Sequence, residues 1–554
     1  MIAGLSLPAG AKDPVGALLA RMSLAEKVGQ MFVSYVYGRS AATASPANTS
    51  LYGVATPAEV VAKYHLGGII YFSWSDNLAD PGQIAGLSNG LQRAAVADTG
   101  IPLQISTDQE GGVVNRIGAP LAVSPGNMAI GATFRPREAY GAARVSGTEL
   151  RALGINVVDA PVVDVNTNAR NAADGPRAFG DRTRQVSLFG GEAVAGYRAA
   201  GIGAQAKHFP GLGDTTVNTD NGVAVTDESR EQILATHVPP FRAAIAAGVQ
   251  SVMAAHIVAP ALDPSGRPAS LSRPIVTGLL REQLHFDGVV ITDALDAAAL
   301  NDIPADRIVL DAVDAGVDQL LMPKDVPGAI RTVLDAVDQG TVSEARIDRS
   351  VRRILRMKLG LGLFDDPYVP EQPVVGTPEH LDVMAGIAAG SITRLRDAAL
   401  PLEAGRSVLV TGWGVGTTTN LTNALTARGI TVTRLYTGSP NADVIAQAVA
   451  AARGADLTVV TTYNAWGDVN QQNLVAALLA TGKPIAVAAV GGPYDIAYFP
   501  GASTYLAAYG YQMPSIVALA DVLTGRQAAR GRLPVTIRSA DGREVLFRYG
   551  TGRG

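Results

Sequence analysis

Between residues 13 and about 360, short apolar runs alternate with longer segments whose apolar residues return every third or fourth position. Short apolar runs bounded by Gly, Asp or Pro read as strands buried on both faces, and the 3.6-residue period reads as amphipathic helix. Eight runs of the first kind occur: VGQMFVSYV (28–36), GGIIYF (67–72), PLQIST (102–107), INVVDAPVV (155–163), IGAQAKHF (202–209), SVMAAHI (251–257), GVVITD (288–293) and VDQLLMP (317–323). Helical segments separate nearly all of them, among them TPAEVVAKYHL (56–66), ESREQILATHVPPFRAAIAAG (228–248) and VPGAIRTVLDAVDQG (326–340). Eight such units predict a (β/α)8 TIM barrel over residues 13–360.

The barrel pattern ends with a helix at SEARIDRSVRRILRMKLG (343–360). LFDDPYVPEQPVVGTPEH then carries four prolines in 18 residues and neither period, which predicts a linker over 361–384. A second alternation, RSVLVTG, LTNALTARG, TVTRLYTG, DVIAQAVAAARGA, LTVVTTY, NLVAALLATG and PIAVAAV, predicts a smaller α/β/α sandwich over 385–554. The fold class is therefore α/β throughout. GWGVG (412–416) invites a dinucleotide-site reading, but the next strand, TVTRLYTG, lacks the acidic residue such sites place on the ribose.

Composition narrows the chemistry. The 554 residues are 47% hydrophobic and 17% charged, as in a well-packed globular chain. A net charge of −4, without a block of like charges, argues against nucleic acid and anionic membranes as partners. The absence of cysteine excludes disulfides, thiolate nucleophiles, Cys-ligated zinc and iron–sulfur clusters. No run of 18 apolar residues predicts a transmembrane helix. MIAGLSLPAGAKDP fits either the remainder after removal of an export signal, the favoured expectation, or a cytoplasmic start.

Active sites of such barrels lie at the carboxyl ends of the strands. Here those ends read STDQEGG (106–112), VVDVNTN (162–168), KHFPGLGDTTVNTD (207–220), AAHI (254–257) and ITDALD (291–296). Taken singly, Asp108 and Asp164 read equally well as helix caps, and His208 and His256 as core histidines. Asp293, ending an apolar strand, has few roles besides capping and catalysis. Lys207, on another apolar strand, needs a carboxylate or substrate oxygen as partner. Several carboxylates with one Lys, one or two His and no metal-ligand spacing suit a neutral, hydroxyl-rich substrate such as a sugar.

The order of these segments resembles glycoside hydrolase family 3, and its β-N-acetylhexosaminidase branch in particular, over most of the chain. DQEGG (108–112) resembles the family's DQEGGRVxR, with Val113 where Arg is usual and Arg116 kept. GPRAFGD (175–181) is similar to its GxRxFG segment, KHFPGLG to KHFPGHG with Leu212 replacing a His, and HIVAPALDPSGRPASLS (256–272) to the following strand and loop. The resemblance implies substrate binding by Asp108, Arg116, Arg177, Lys207, His208 and His256, and a nucleophile at Asp293. The family's Asp-x-His proton-donor pair is replaced here by Asn218-Thr219-Asp220, so a carboxyl group stands where the acid/base histidine belongs. Asp220 is the expected acid/base, with Asp214 and Asp468 as substitutes.

The expected activity is that of a retaining exo-β-glycosidase, a β-N-acetylglucosaminidase acting on oligosaccharides from peptidoglycan or chitin. No cofactor or metal is implied, and monomer and homodimer both stay open. The alternatives are a catalytically impaired sugar-binding protein and a β-glucosidase or phosphorylase of the same fold.

Overall fold

A computed structural model describes residues 13–552; the start of the chain, on which the export-signal expectation rests, falls mostly outside them. Each of the eight expected runs holds a parallel strand: β1 (Phe32–Ser34), β2 (Gly68–Ile70), β3 (Gln104–Thr107), β4 (Val157–Val158), β5 (Gly203–Phe209), β6 (Ser251–Ala254), β7 (Val289–Thr292) and β8 (Leu320–Leu321). They pair in chain order, β8 returns to β1, and a parallel bridge between Ile291 and Gln319 links the two ends of the sheet. The result is a barrel wrapped by helices.

Two local readings change. VGQ (28–30) is helical, because Ser23 and Glu26 form a capping box that starts a helix over Leu24–Gln30. Residues 228–248 form two helices, Arg230–Thr236 and Val238–Ala246, the second opening at His237 with proline in its first turn. Inside the barrel, a polar layer links Gln319 to Gln104, Gln205 to Asp159 and Ser251 to Gln205 at 2.9 Å each. Above it, Val33, Ile70, Phe72, Met253, Ile291, Leu321 and Met322 form a small apolar cluster at the carboxyl ends of the strands.

The proline-rich stretch is pinned to the barrel by Asn89 to the Val369 backbone (2.8 and 2.9 Å) and by Glu149 to the Gly376 N–H (2.7 Å). A helix over Pro378–Ser391 begins inside the segment expected to be linker. The second sheet contains β9 (Thr393–Arg396), β10 (Ser407–Gly412), β11 (Thr431–Tyr436), β12 (Leu457–Thr462), β13 (Ile485–Ala489) and β14 (Thr504–Ala507), in the order β9-β14-β13-β12-β10-β11. All pairs are parallel except β9 with β14. This sandwich meets the barrel on the rim that carries the polar loops. Gln512 donates to the Gly112 carbonyl at 2.8 Å, Asn166 to the Tyr494 hydroxyl at 2.9 Å and Arg170 to the Ala540 carbonyl at 2.7 Å.

One core residue has a measurable cost. Lys358, fully buried on the helix Glu344–Gly360, has the Gln30 carboxamide oxygen (2.7 Å) as its hydrogen-bond partner, and burial pushes its amine down to about 7. Between about pH 7 and the ordinary lysine pKa, the unfolded chain binds a proton that the fold refuses, so stability rises with pH across that window. Lys358→Met should stabilise the fold at pH 7 by about 1–3 kcal/mol, after the loss of the Gln30 bond, and flatten that slope. Urea unfolding at pH 7 and pH 10 checks both; an unchanged slope would show that Lys358 stays charged in the fold.

Candidate active site

The carboxyl-terminal rim of the barrel opens into a cavity of about 430 Å³, lined on several sides by Asp108, Glu110, Arg177, Lys207, His208, Asp220, Asp293 and Asp296. Ile70, Met253, Leu321 and Met322, at the ends of β2, β6 and β8, give it an apolar surface. One part of the wall is hydrogen-bonded polar and another apolar.

The polar wall is a chain of charge pairs. Lys207, 2% exposed near the end of β5, donates to Asp108 at 2.7 Å and lies 2.8 Å from Glu110. Arg177 makes a two-pronged contact with Glu110, 2.8 Å on each side, and Arg116 reaches Asp108 at 3.3 Å. Burial alone would raise Glu110, but the Arg177 and Lys207 cations outweigh it and hold the carboxyl well below the usual range. Burial likewise opposes the charge on Lys207, and Asp108 and Glu110 keep it protonated. Both partners are thereby held as charges on the cavity wall.

Beside them, His208 Nδ1 bonds Asp164 at 2.7 Å. The peptide bond between Lys207 and His208 is cis, and both side chains line the cavity. Burial would lower the imidazole pKa, but the charge and hydrogen bond of Asp164, with Asp293 adding to them, leave it raised. The FPGLG loop lies directly on the backbone after β4: a Cβ at Gly213 would stand 1.7 Å from the Val165 carbonyl oxygen. Leu212 donates its N–H to Asp164 at 2.8 Å, so one carboxylate fixes both His208 and this loop.

Asp164, Asp174 and His208 bring possible metal-ligand atoms within 4.8 Å of one another. The Arg177 guanidinium lies 3.8 Å from Asp174 and 3.3 Å from His208 Nε2, which supplies the cluster with positive charge from the protein itself. Burial and the nearby Asp164 push Asp174 up to about 7.

Asp293 follows β7. Its N–H bonds the Ala254 carbonyl at 2.8 Å, and its Oδ1 accepts the Ala294 N–H at 2.9 Å. His256, expected among the substrate-binding residues, is not part of the cavity lining: it is fully buried, and its ring bonds Ser270 at 2.7 Å and the Ala294 carbonyl at 2.9 Å. It therefore holds the peptide that follows Asp293.

Asp220 is an exposed residue on the cavity wall, and its loop is tied to the loop after Asp293: Ala299 donates to the Thr219 carbonyl at 3.1 Å and Ala298 to the Asp220 carbonyl at 3.3 Å. The substitutes lie elsewhere. Asp214 lines a neighbouring groove between barrel and sandwich, and Asp468 caps the helix Val469–Leu479 while accepting the Ser439 hydroxyl at 2.9 Å. GWGVG is a packing turn in which the Trp413 ring stacks on Tyr463 at 4.4 Å.

Several lining residues were not assigned a role from sequence. Glu110 stands in DQEGG two positions after Asp108, and Asp296 stands three after Asp293. Burial, then the charges of Asp220 and Asp293, push Asp296 upward. Tyr463 and Asn464 enter the cavity from the loop after β12, so the sandwich completes the site. Their sequence carries no signal of this, because the contact depends on how two domains dock.

A TIM barrel whose carboxyl-terminal rim holds a cavity of fixed ion pairs and free carboxylates, finished by an α/β domain, defines a carbohydrate-acting hydrolase. The chain belongs to glycosyl hydrolase family 3: the family's N-terminal domain matches residues 23–357 and its C-terminal domain residues 200–551. It is 32% identical to beta-hexosaminidase A of Pseudoalteromonas piscicida, over 86% of this chain and 90% of that one. It is 29% identical to a beta-N-acetylglucosaminidase/beta-glucosidase of Cellulomonas fimi, over 94% and 95%. Its structure superposes on a family 3 beta-N-acetylglucosaminidase from Paenibacillus sp. str. FPU-7 with a TM-score of 0.86 and 36% identity, covering 93% of this chain and 99% of that one.

Proposed function

We propose that the protein is a retaining exo-β-N-acetylglucosaminidase that removes terminal N-acetylglucosamine from peptidoglycan fragments or chitooligosaccharides. The observation that carries this is the presence in one cavity of Asp293 together with a wall of paired charges formed by Asp108, Glu110, Arg177, Lys207 and His208. That wall grips the hydroxyls of a single terminal sugar and leaves its anomeric carbon to Asp293. The hexosaminidase names of the relatives support the N-acetyl preference.

In the first step an Asp293 oxygen attacks the anomeric carbon as the bond to the leaving-group oxygen breaks and Asp220 gives that oxygen its proton. The product is a glycosyl ester on Asp293. In the second step Asp220 takes a proton from water, the resulting hydroxide oxygen bonds the anomeric carbon, and the ester bond breaks. The two inversions leave the β configuration unchanged. His256, through the Ala294 carbonyl, keeps Asp293 aligned.

The Cellulomonas relative carries two activities in its name, so the decisive measurement compares sugars. On a panel of nitrophenyl β-glycosides, the N-acetylglucosaminide should give the highest kcat/KM. Faster glucoside cleavage reverses the sugar assignment, faster turnover with added phosphate points to a phosphorylase, and tight sugar binding without turnover on every member supports an impaired binding protein.

A further inference from the structure

A second and larger opening lies beside the catalytic cavity. It is a groove of about 1320 Å³ along the seam between barrel and sandwich, against about 430 Å³ for the cavity itself. Three loops line both. Residues 166–170 face the groove and 171–177 the cavity; Asp214 and Thr216 face the groove and 218–220 the cavity; Trp466 stands in the groove two residues beyond Asn464 in the cavity. Two residues of chain span no more than about 7 Å, so one opening begins where the other ends. An oligosaccharide a few units long, held by its terminal sugar in the cavity, is long enough to enter the groove.

The walls of the groove are tied together across the seam. Asn166 donates to the Tyr494 hydroxyl at 2.9 Å, Arg170 to the Ala540 carbonyl at 2.7 Å, Arg182 to the Thr536 hydroxyl at 2.8 Å, and the Thr536 N–H to Asp181 at 2.7 Å. On the barrel side, Asn168 joins the first loop to the second by donating to the Asp214 carbonyl at 2.9 Å. A site assembled in advance loses little entropy when a ligand arrives.

Its charges are not balanced internally. Arg170, Arg182, Arg538 and Arg548 line it together with Asp181, Asp214 and Asp541. Asp181 lies 3.3 Å from Arg182, and Asp541 lies 3.6 Å from Arg543 and accepts the Ser539 hydroxyl at 2.6 Å. Asp214 is met only at 3.4 Å, by the hydroxyls of Thr167 and Thr226. Among the described residues, Arg170 and Arg538 bond carbonyl oxygens alone, Arg538 at a long 3.5 Å, and the exposed Arg548 guanidinium bonds nothing. Three guanidinium groups thus reach one groove without a carboxylate of their own. Their planar forks match a carboxylate through two parallel hydrogen bonds. Tyr498 and Tyr549, both half-buried there, add the apolar faces that a saccharide site also needs.

We propose that the groove is a second substrate-binding site, which holds the carboxylate-bearing sugars of an acidic oligosaccharide beyond the terminal residue in the cavity, so that the protein prefers acidic chains to neutral ones. This rests on the glycosidase reading above. The terminal sugar occupies the cavity, and arginines of the groove pair with carboxylates carried further along the chain. A neutral chain of the same length meets the groove without those pairs.

The test is calorimetric titration in an Asp293→Asn background, which removes turnover. The ligands are N-acetylglucosamine, chitotetraose, and the tetrasaccharide of equal length in which N-acetylglucosamine, at the non-reducing end, alternates with glucuronate. If the panel selects glucose, then glucose, cellotetraose and the tetrasaccharide of alternating glucose and glucuronate take their place. At low salt the acidic tetrasaccharide should bind roughly two- to thirtyfold tighter than the neutral one, as one or two partly exposed arginine–carboxylate pairs would give, and the margin should shrink as salt is raised.

Arg538→Gln combined with Arg548→Gln should bring the two tetrasaccharides to within about twofold of each other. The monosaccharide should bind as before, because neither residue lines the cavity. Equal affinity for the two tetrasaccharides in the parent, a preference that the double variant keeps, or no binding of either overturns the proposal. A protein that turns over no sugar on the panel sinks the catalytic reading, while the titration still decides the role of the groove.

Discussion

Asp293→Ala is expected to lower kcat by roughly 10³- to 10⁵-fold with the fold intact, equivalent to about 4–7 kcal/mol of lost transition-state stabilisation. The magnitude follows from the engagement of the carboxylates on the polar wall: Asp108 and Glu110 are bound to Lys207, Arg116 and Arg177, and neither offers a free oxygen to replace that of Asp293. The fold should persist because Asp293 is only partly buried and its Oδ1 makes a local hydrogen bond to the adjacent Ala294 N–H, which a backbone water can replace. Urea unfolding should give the same midpoint for both proteins within a few tenths of a molar. The stereochemical test is independent of the mutant: proton NMR of the unmodified enzyme should show the β anomer first, followed by slow mutarotation. An α anomer appearing first would remove the covalent ester and turn Asp293 into a base for water.

Asp220→Ala should separate substrates by their leaving groups. Nitrophenolate departs without a proton, whereas the sugar alkoxide of chitobiose does not, so the loss in kcat/KM, which reports the first step, should reach about 10²- to 10⁴-fold on chitobiose and stay below about tenfold on the nitrophenyl glycoside. Azide should restore the second step in the variant, because it needs no base, and it should leave as the β-glycosyl azide. The sign of both effects rests on the position of Asp220 at the cavity, on a loop held to the 298–299 backbone next to the Asp293 loop. Equal loss on both substrates, or none, removes Asp220 from proton transfer. The structure then directs attention to Asp296, which lines the same cavity and is pushed upward by burial and by its two carboxylate neighbours, rather than to Asp214 or Asp468, which are engaged elsewhere. A carboxylate in the histidine's place also repels inorganic phosphate, so hydrolysis should outrun phosphorolysis.

The sequence by itself determined the barrel, because a strand buried on both faces is apolar at most positions, and a run such as VVIT (289–292) between polar turns fits that environment. It likewise marked Lys207, His208 and Asp293, since ionisable groups at the ends of such strands are rare without a purpose. It was less able to mark mixed elements: Thr393–Arg396 alternates with arginine, and the residues at 28–30 gave way to a helix because a capping box upstream outweighed their strand-like pattern. The resemblance put His256 among the substrate-binding residues, whereas residue type left it equally a core histidine, since a histidine after a strand reads the same whether its ring faces substrate or wall. Tertiary structure alone decided the rest. Glu110, Arg177 and Lys207 form one charge network although they lie up to 97 residues apart. Tyr463 and Asn464 reach the cavity from another domain, and the rings of Tyr35, Phe72 and Trp74 meet across two barrel loops. Periodicity reports which face of an element is buried; which loops converge on one rim is fixed by barrel closure and domain docking, and no local pattern encodes that distance.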